Sequence, residues 1–181
     1  MVWTHSEYKY GLLQQFCMFL LKFGPIPRHV GIIMDGNRRF ATTNHMRTTD
    51  GHVHGFSKLS ECLRWCRDMG VKELTVYAFS VENFKRSSEE VSFLFDLAAE
   101  KFQELLEKID ELHEHGVCVR LIGNLSLLPA RIQRLSSELM LKTRNNDQSF
   151  LNVCMAYGSQ DELAESLERI RIGVHEKLLN P

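Results

Sequence analysis

The chain has almost no net charge. Its 22 Lys and Arg offset 23 Asp and Glu to leave −1 across 181 residues, so no overall field draws it to nucleic acid. Any anion it binds must be held by a local cluster. It also lacks a long hydrophobic run. The most apolar stretch, residues 16–21, falls far short of the roughly 20 residues of a membrane span. No basic start followed by a small-residue cleavage site marks a secretory leader. The five cysteines, Cys17, Cys62, Cys66, Cys118 and Cys154, are odd in number and have no C-x-x-C pair. They read as small apolar residues in a reducing compartment, which excludes a disulfide framework and a zinc site. Internal repeats and low-complexity tracts are absent too. What is present, 44% hydrophobic and 25% charged residues, suits a soluble globular domain long enough to bury a core.

Residues 29–41 carry the densest chemistry. Residues 30–34 read as a short strand, and a run of apolar or small residues suits one covered on both faces, as in a parallel sheet. Asp35 then falls at its carboxyl end, where open α/β sheets place ligand chemistry. Gly36 lets the backbone turn and approach a ligand closely. Arg38 and Arg39 offer donors suited to phosphate oxygens, and Asp35 is a hard oxygen ligand suited to Mg²⁺. The plainer alternative is a strand-to-helix turn in which Asp35 caps a helix and the arginines are solvated. A phosphatase with an Asp nucleophile would want a second Asp two residues on, where Asn37 stands instead.

Along the rest of the chain, residues 3–23 predict an amphipathic helix. Leu12, Leu13, Phe16, Phe19, Leu20 and Phe23 lie on one side. That stripe either packs on its own domain or meets lipid at an interface, with Trp3, Tyr8 and Tyr10 near headgroup level. Residues 24–27, Gly-Pro-Ile-Pro, form a stiff joint, so the division is 1–24 for the helix and 25–181 for the main domain. Residues 41–50 read as a mobile segment over the site. Residues 55–69 predict a helix with Phe56, Leu59, Cys62, Leu63 and Cys66 inward, ended by Gly70. A strand over 74–79 leads into a loop over 80–86. The S-x-x-E pattern from Ser87 to Glu90 predicts a capping box opening a long helix to about Glu114. Further strands over 117–122 and 150–156 flank a helix after Pro129, and a last helix covers 160–178. His29, His113 and His115 read as structural. Strands alternating with helices predict an α/β fold with a central parallel sheet flanked by helices.

The run His-Val-x-Ile-Ile-Met-Asp-Gly-Asn-x-Arg-aromatic-Ala resembles the signature of the cis-prenyltransferases, the undecaprenyl diphosphate synthase-like family. Its Arg38-Arg39 version is similar to that of the eukaryotic dehydrodolichyl diphosphate synthase subunits. The resemblance continues through Gly51-His52 and the blocks at 74–86, 116–123 and 151–157. It implies an Mg²⁺-dependent enzyme that condenses isopentenyl diphosphate onto an allylic diphosphate such as farnesyl diphosphate. The product would be a long polyprenyl diphosphate serving dolichol synthesis and protein glycosylation. By the same resemblance Asp35 handles the metal and diphosphates and Asn37 positions the reacting groups. Gly36, Arg38, Arg39 and the N–H groups of the next helix hold the allylic diphosphate. Ser80, Glu82, Asn83, Phe84 and Arg86 form the second loop of the condensation site, with Asn83 grouped with the catalytic residues and Phe84 touching the prenyl chain. His52 lies near the diphosphate or, as a lone loop histidine, is structural. Phe56, Leu59, Leu63, Val91, Leu94, Phe95, Ala98 and Phe102 would line a tunnel for the product.

The pattern departs from the family at Thr48, where an arginine is typical, and at Gln160. It also implies a further segment after Pro181, with Arg-x-x-Gly-Glu and Arg-x-Ser, that binds isopentenyl diphosphate; the domain reads as truncated at its C-terminus. Implied partners are a Nogo-B receptor-type subunit or a second copy, with peripheral contact at the cytoplasmic face of the endoplasmic reticulum. The alternative is an inactive or non-catalytic subunit that binds a partner or an allylic diphosphate.

Overall fold

The computed structural model describes residues 10–179. Four strands, β1 (His29–Ile33), β2 (Glu73–Ser80), β3 (Val117–Ile122) and β4 (Ser149–Tyr157), form one sheet in the order β1-β2-β4-β3. All neighbouring pairs are parallel, so the predicted α/β architecture is the observed one. The helices are α1 (Leu12–Leu21), α2 (Asn37–Thr43), α3 (Thr48–Met69), α4 (Ser88–Glu107), α5 (Ile109–Glu114), α6 (Ala130–Thr143) and α7 (Ser159–His175).

Period-two alternation divides the sheet into an apolar and a polar face. Leu74, Val76, Leu151, Val117 and Val119 enter the core with Leu63, Ala99, Phe102 and Leu139 from the helices. Each buried Leu, Val or Phe among them stabilises the fold by roughly 1.5–3 kcal/mol. On the polar face, Asn152 Nδ2 donates to Glu73 Oε1 at 2.7 Å and to Thr75 Oγ1 at 3.0 Å. The His29 ring bonds Thr75 Oγ1 at 2.7 Å. His29 therefore serves the sheet, as its position before the strand predicts.

The two edges of the sheet are treated differently. Beyond β3 lies α6, where Thr143 Oγ1 accepts the Val119 N–H at 3.0 Å and Met140 Sδ accepts that of Leu121 at 3.3 Å. Thr143 is itself fully buried. β1 is the opposite, open edge. Its residues alternate between exposed and half-buried, and Ile33 is 73% exposed. The expectation of a strand covered on both faces fails here, because an apolar run shows burial on one side as readily as on two.

Other boundaries move for local reasons. Residues 41–50, expected as a mobile segment, instead hold the end of α2, a turn, and the start of α3. Arg47 at the N-cap pairs with Asp50 through contacts of 3.0 and 2.9 Å, so the helix begins seven residues earlier than its apolar periodicity suggests. The long helix breaks at Lys108 (φ −109°, ψ 29°) into α4 and α5, and the new direction buries Leu112 completely. At the N-terminus, Trp3 and Tyr8 lie outside the described residues. Tyr10 donates to Asp68 Oδ2 at 2.6 Å, which holds it against α3. The stripe of α1 is exposed, from 51% at Leu20 to 87% at Leu12. Self-packing of that stripe is therefore not what the helix does.

Candidate active site

The chain leaves β1 through a tight turn in which the Asp35 N–H donates to the Ile33 carbonyl at 2.9 Å. Gly36 follows with φ +88°, a left-handed conformation that costs a glycine little, and caps α2. Asp35 Oδ1 accepts the Gly36 N–H at 2.6 Å and Oδ2 accepts Arg39 Nη2 at 3.1 Å. Both side chains are largely exposed, 77% for Asp35 and 81% for Arg39. The acid and the second guanidinium thus stand together at the rim.

Asn37, the first residue of α2, is held against α3 by missing side chains. A Cβ at Gly55 would sit 2.2 Å from Asn37 Oδ1, and one at Gly51 would sit 2.4 Å from the Asn37 carbonyl oxygen. Two glycines four residues apart inside a helix each cost about 1 kcal/mol relative to alanine. That cost is the sequence's signal of a close approach at Gly55.

A missed residue lies at the centre of the site. Glu90 Oε1 receives the His52 ring at 3.0 Å and Arg86 Nη1 at 2.9 Å, with Arg38 Nε at 4.0 Å. His52 is 6% exposed and sits in the second turn of α3, not in a loop. Because an ionised carboxylate only accepts, the imidazole nitrogen facing it carries the proton. Burial would raise the Glu90 carboxyl. The His52 hydrogen bond and the Arg86 and Arg38 charges outweigh it, holding the group below its ordinary value near 4.5. The predicted capping box is therefore half made. Ser87 Oγ accepts the Glu90 N–H at 3.3 Å, but the Glu90 side chain, which would complete the box, is turned to the cations instead.

The second loop is a 3₁₀ turn over Val81–Lys85. Ser80 and Asn83 cap each other: Asn83 Oδ1 accepts the Ser80 N–H at 3.0 Å, and the Ser80 hydroxyl accepts from the Asn83 backbone. Asn83 and Arg86 also face a cavity of about 140 Å³. Glu82 points outward and is exposed; the Tyr77 phenol is pushed up first by burial and then by the Glu82 charge. Phe84 packs edge-on against Phe79, with ring centroids 5.0 Å apart. It stands behind Phe79, which lines the cavity.

The cavity lies between the sheet, α3 and α4. A single water needs about 10–15 Å³ on this measure, so the space is some ten times larger. Asn37, His52, Asn83 and Arg86 make its polar end. Phe56, Leu59, Leu63, Leu94, Ala98 and Phe102 line it as predicted. Val91 and Phe95 do not; Phe95 packs on Phe79 and Phe84 instead. The sheet supplies the rest of the wall, including Val76, Leu151 and Met155.

Among the described residues no three His, Cys, Asp or Glu side chains converge on a metal position. Mg²⁺ is commonly held by one or two carboxylates, substrate phosphates and water. Asp35 fits as one such ligand and no more. Where an arginine is typical of the pattern, Thr48 opens α3 and the adjacent Arg47 is occupied by Asp50.

Residues 33–180 match the family model Prenyltransf, for undecaprenyl diphosphate synthase. The chain belongs to that family of prenyltransferases. It is 46% identical to the human "Dehydrodolichyl diphosphate synthase complex subunit DHDDS" over 97% of its own length and 53% of the human protein's. It is 40% identical to a Thermococcus kodakarensis "Tritrans,polycis-undecaprenyl-diphosphate synthase (geranylgeranyl-diphosphate specific)", over 95% of this chain and 65% of that one. The crystal structure of lavandulyl diphosphate synthase from Lavandula x intermedia in complex with dimethylallyl diphosphate superposes with a TM-score of 0.78 at 28% identity. That match covers 86% of this chain and 65% of the plant enzyme. The chain thus spans about half the length of the human relative.

Proposed function

We propose that this chain carries the allylic diphosphate site of a cis-prenyltransferase. The enzyme condenses isopentenyl diphosphate onto an allylic diphosphate such as farnesyl diphosphate, yielding long-chain polyprenyl (dehydrodolichyl) diphosphate for dolichol synthesis and glycosylation. The observation that carries this reading is the joining of one apolar cavity to one cationic mouth. A prenyl diphosphate has the same two halves.

Breaking the allylic C–O bond leaves its electron pair and a growing negative charge on the departing diphosphate, so the barrier falls where donors are already in place. Arg38 and Arg86 stand ready at the mouth, and Arg39 and the Gly36 N–H lie at the rim beside Asp35. Asn37, locked by the glycines of α3, orients its amide at the cavity entrance, with Asn83 facing the same space. Both would position the reacting groups at little entropic cost. Asp35 would hold Mg²⁺, whose charge would neutralise diphosphate oxygens. The exposed stripe of α1 suits peripheral contact with the cytoplasmic face of the endoplasmic reticulum. No described helix is long and apolar enough to cross a membrane. The human relative is named a complex subunit, and a Nogo-B receptor-type subunit or a second copy is the corresponding partner here.

The test follows labelled isopentenyl diphosphate into polyprenyl product with farnesyl diphosphate and Mg²⁺, with and without such a partner. Asp35→Ala should lower turnover by roughly 10² to 10⁴, while its melting temperature holds because the side chain is exposed. Incorporation at the wild-type rate by the variant would refute the assignment of Asp35.

A further inference from the structure

Three sulfur atoms share one stripe of α3. Cys62, Cys66 and Met69 fall at i, i+4 and i+7 on that helix, within about 60° of one another around its axis at 3.6 residues per turn. Helical side chains lean toward the N-terminus, over the residue three or four places back. Met69 therefore lies over Cys66, and Cys66 over Cys62. All three are half-buried, and Cys66 packs against the edge of the core. The other cysteines are placed differently. Cys17 is exposed, while Cys118 and Cys154 are buried in β3 and β4.

The fold makes no polar use of these three sulfurs. Met140 Sδ accepts the Leu121 N–H, but among the described residues no hydrogen-bond donor or ring engages Cys62, Cys66 or Met69. Nor can the two thiols pair with each other. The helix holds their Cβ atoms about 5–6 Å apart, and a disulfide needs about 3.5–4.5 Å. One interposed ion, about 2.3 Å from each sulfur as in zinc thiolates, spans that gap. Met69 has a flexible, polarizable thioether that reaches back as a third donor.

We propose that Cys62, Cys66 and Met69 form a binding site for a soft monovalent metal ion, Cu(I). Thiolate and thioether ligands select Cu(I), and a reducing compartment preserves free thiols. Zn²⁺ fits poorly. It takes four ligands, and among the described residues no three His, Cys, Asp or Glu side chains converge. The Cys66 thiol is pushed up first by burial and then by Cys62, so the ion must displace its proton. Binding releases one proton from each thiol and leaves a single negative charge on the bis-thiolate complex. Arg64, Arg67 and Asp68 in the same turns carry a net +1 that offsets it. Cys62 stands ten residues beyond His52, about 15 Å along the helix axis. The site is separate from the cavity mouth and stands independently of the prenyl diphosphate reading.

The test titrates the reduced chain anaerobically with Cu(I) presented as its bathocuproine disulfonate complex, following loss of that chromophore. One equivalent should transfer to the wild type. Cys62→Ala and Cys66→Ala should each weaken the transfer by at least about tenfold. Met69→Leu, which conserves volume, should weaken it by a smaller factor, and Cys17→Ser should leave it unchanged. Equimolar Zn²⁺ should not displace the ion. In the wild type, bound Cu(I) should protect Cys62 and Cys66 from maleimide while Cys17 still reacts, as read by peptide mass. That protection and Met69→Leu carry the test if the alanine variants do not fold. The site is overturned by an absence of transfer, or by transfer that survives all three substitutions. Loss of transfer in Cys17→Ser, or its reversal by equimolar Zn²⁺, overturns it equally.

Discussion

Replacing each of the two glycines on α3 with alanine should have unequal effects on stability, although both sit in the same helix and face the same residue. At Gly55 an added Cβ meets only the end of the Asn37 side chain, at 2.2 Å from Oδ1, 2.7 Å from Cγ and 2.8 Å from Nδ2. That amide can swing to another rotamer for about 1 kcal/mol or less. Alanine regains about 0.5–1 kcal/mol of helix propensity, so Gly55→Ala should melt within about 3 °C of the wild type. At Gly51 the new Cβ meets main chain. It would lie 2.4 Å from the Asn37 carbonyl oxygen and 2.9 Å from Ala41 Cβ, and neither can rotate away. The start of α2 must move off α3, which costs about 1–3 kcal/mol as overpacking. The propensity gain offsets part of it. Net loss of about 1–2 kcal/mol corresponds to a fall of roughly 2–8 °C for a domain of this size.

Function should separate the two variants differently. In Gly55→Ala the fold survives while the Asn37 amide is misplaced, and a displacement near 1 Å can cost about 10²-fold in rate. Thermal melts paired with the isopentenyl incorporation assay read both quantities. A Gly55→Ala protein that melts as low as Gly51→Ala, or one that keeps wild-type turnover, would refute the packing argument.

Glu90→Gln tests the electrostatic hub. The Glu90 carboxyl lies below its ordinary value in the folded chain, so its stabilising contribution is complete above pH about 4.5 and is lost as pH falls through the depressed folded value. The variant should lack that component of the acid destabilisation seen in urea melts across pH 3 to 6 (roughly the carboxylate range); a superimposable pH profile would contradict it. Deleting residues 1–23 removes the exposed stripe of α1 together with the Tyr10–Asp68 hydrogen bond. Liposome co-sedimentation should fall with the deletion, and unchanged sedimentation would reject an interfacial role for α1.

Some of this structure was legible in the chain and some was not, for reasons of range. Each strand was readable because four to nine residues suffice to show it, and Asp35 was readable as a strand-end acid. Glu90 was not, because S-x-x-E is a complete local explanation for a glutamate at a helix start. The approach of His52 from 38 residues away, together with Arg86 and Arg38, turns its carboxylate elsewhere. The first turn of α3 was hidden for a related cause. Thr48, Thr49, Gly51 and Gly55 are poor helix formers, tolerated where a neighbouring helix needs the room. The break at Lys108 left no glycine or proline behind it, so the periodicity ran through. The exposure of β1 depends on strand order, which no single stretch of sequence encodes.

The unequal edges give this sheet a direction of growth. On the β3 side α6 acts as an end-stop, its Thr143 and Met140 using up amides that a further strand would need. β1 has no such terminator among the described residues, and unpaired edge amides are a template for another backbone. Whatever joins by strand pairing must therefore join at β1, and it arrives alongside the turn that holds Asp35 and Gly36. Extending the sheet and enclosing the rim at Asp35 and Gly36 are, for this topology, a single event. A peptide that sealed the edge would also trespass on the mouth, so ligands of the one should register as competitors or helpers of the other.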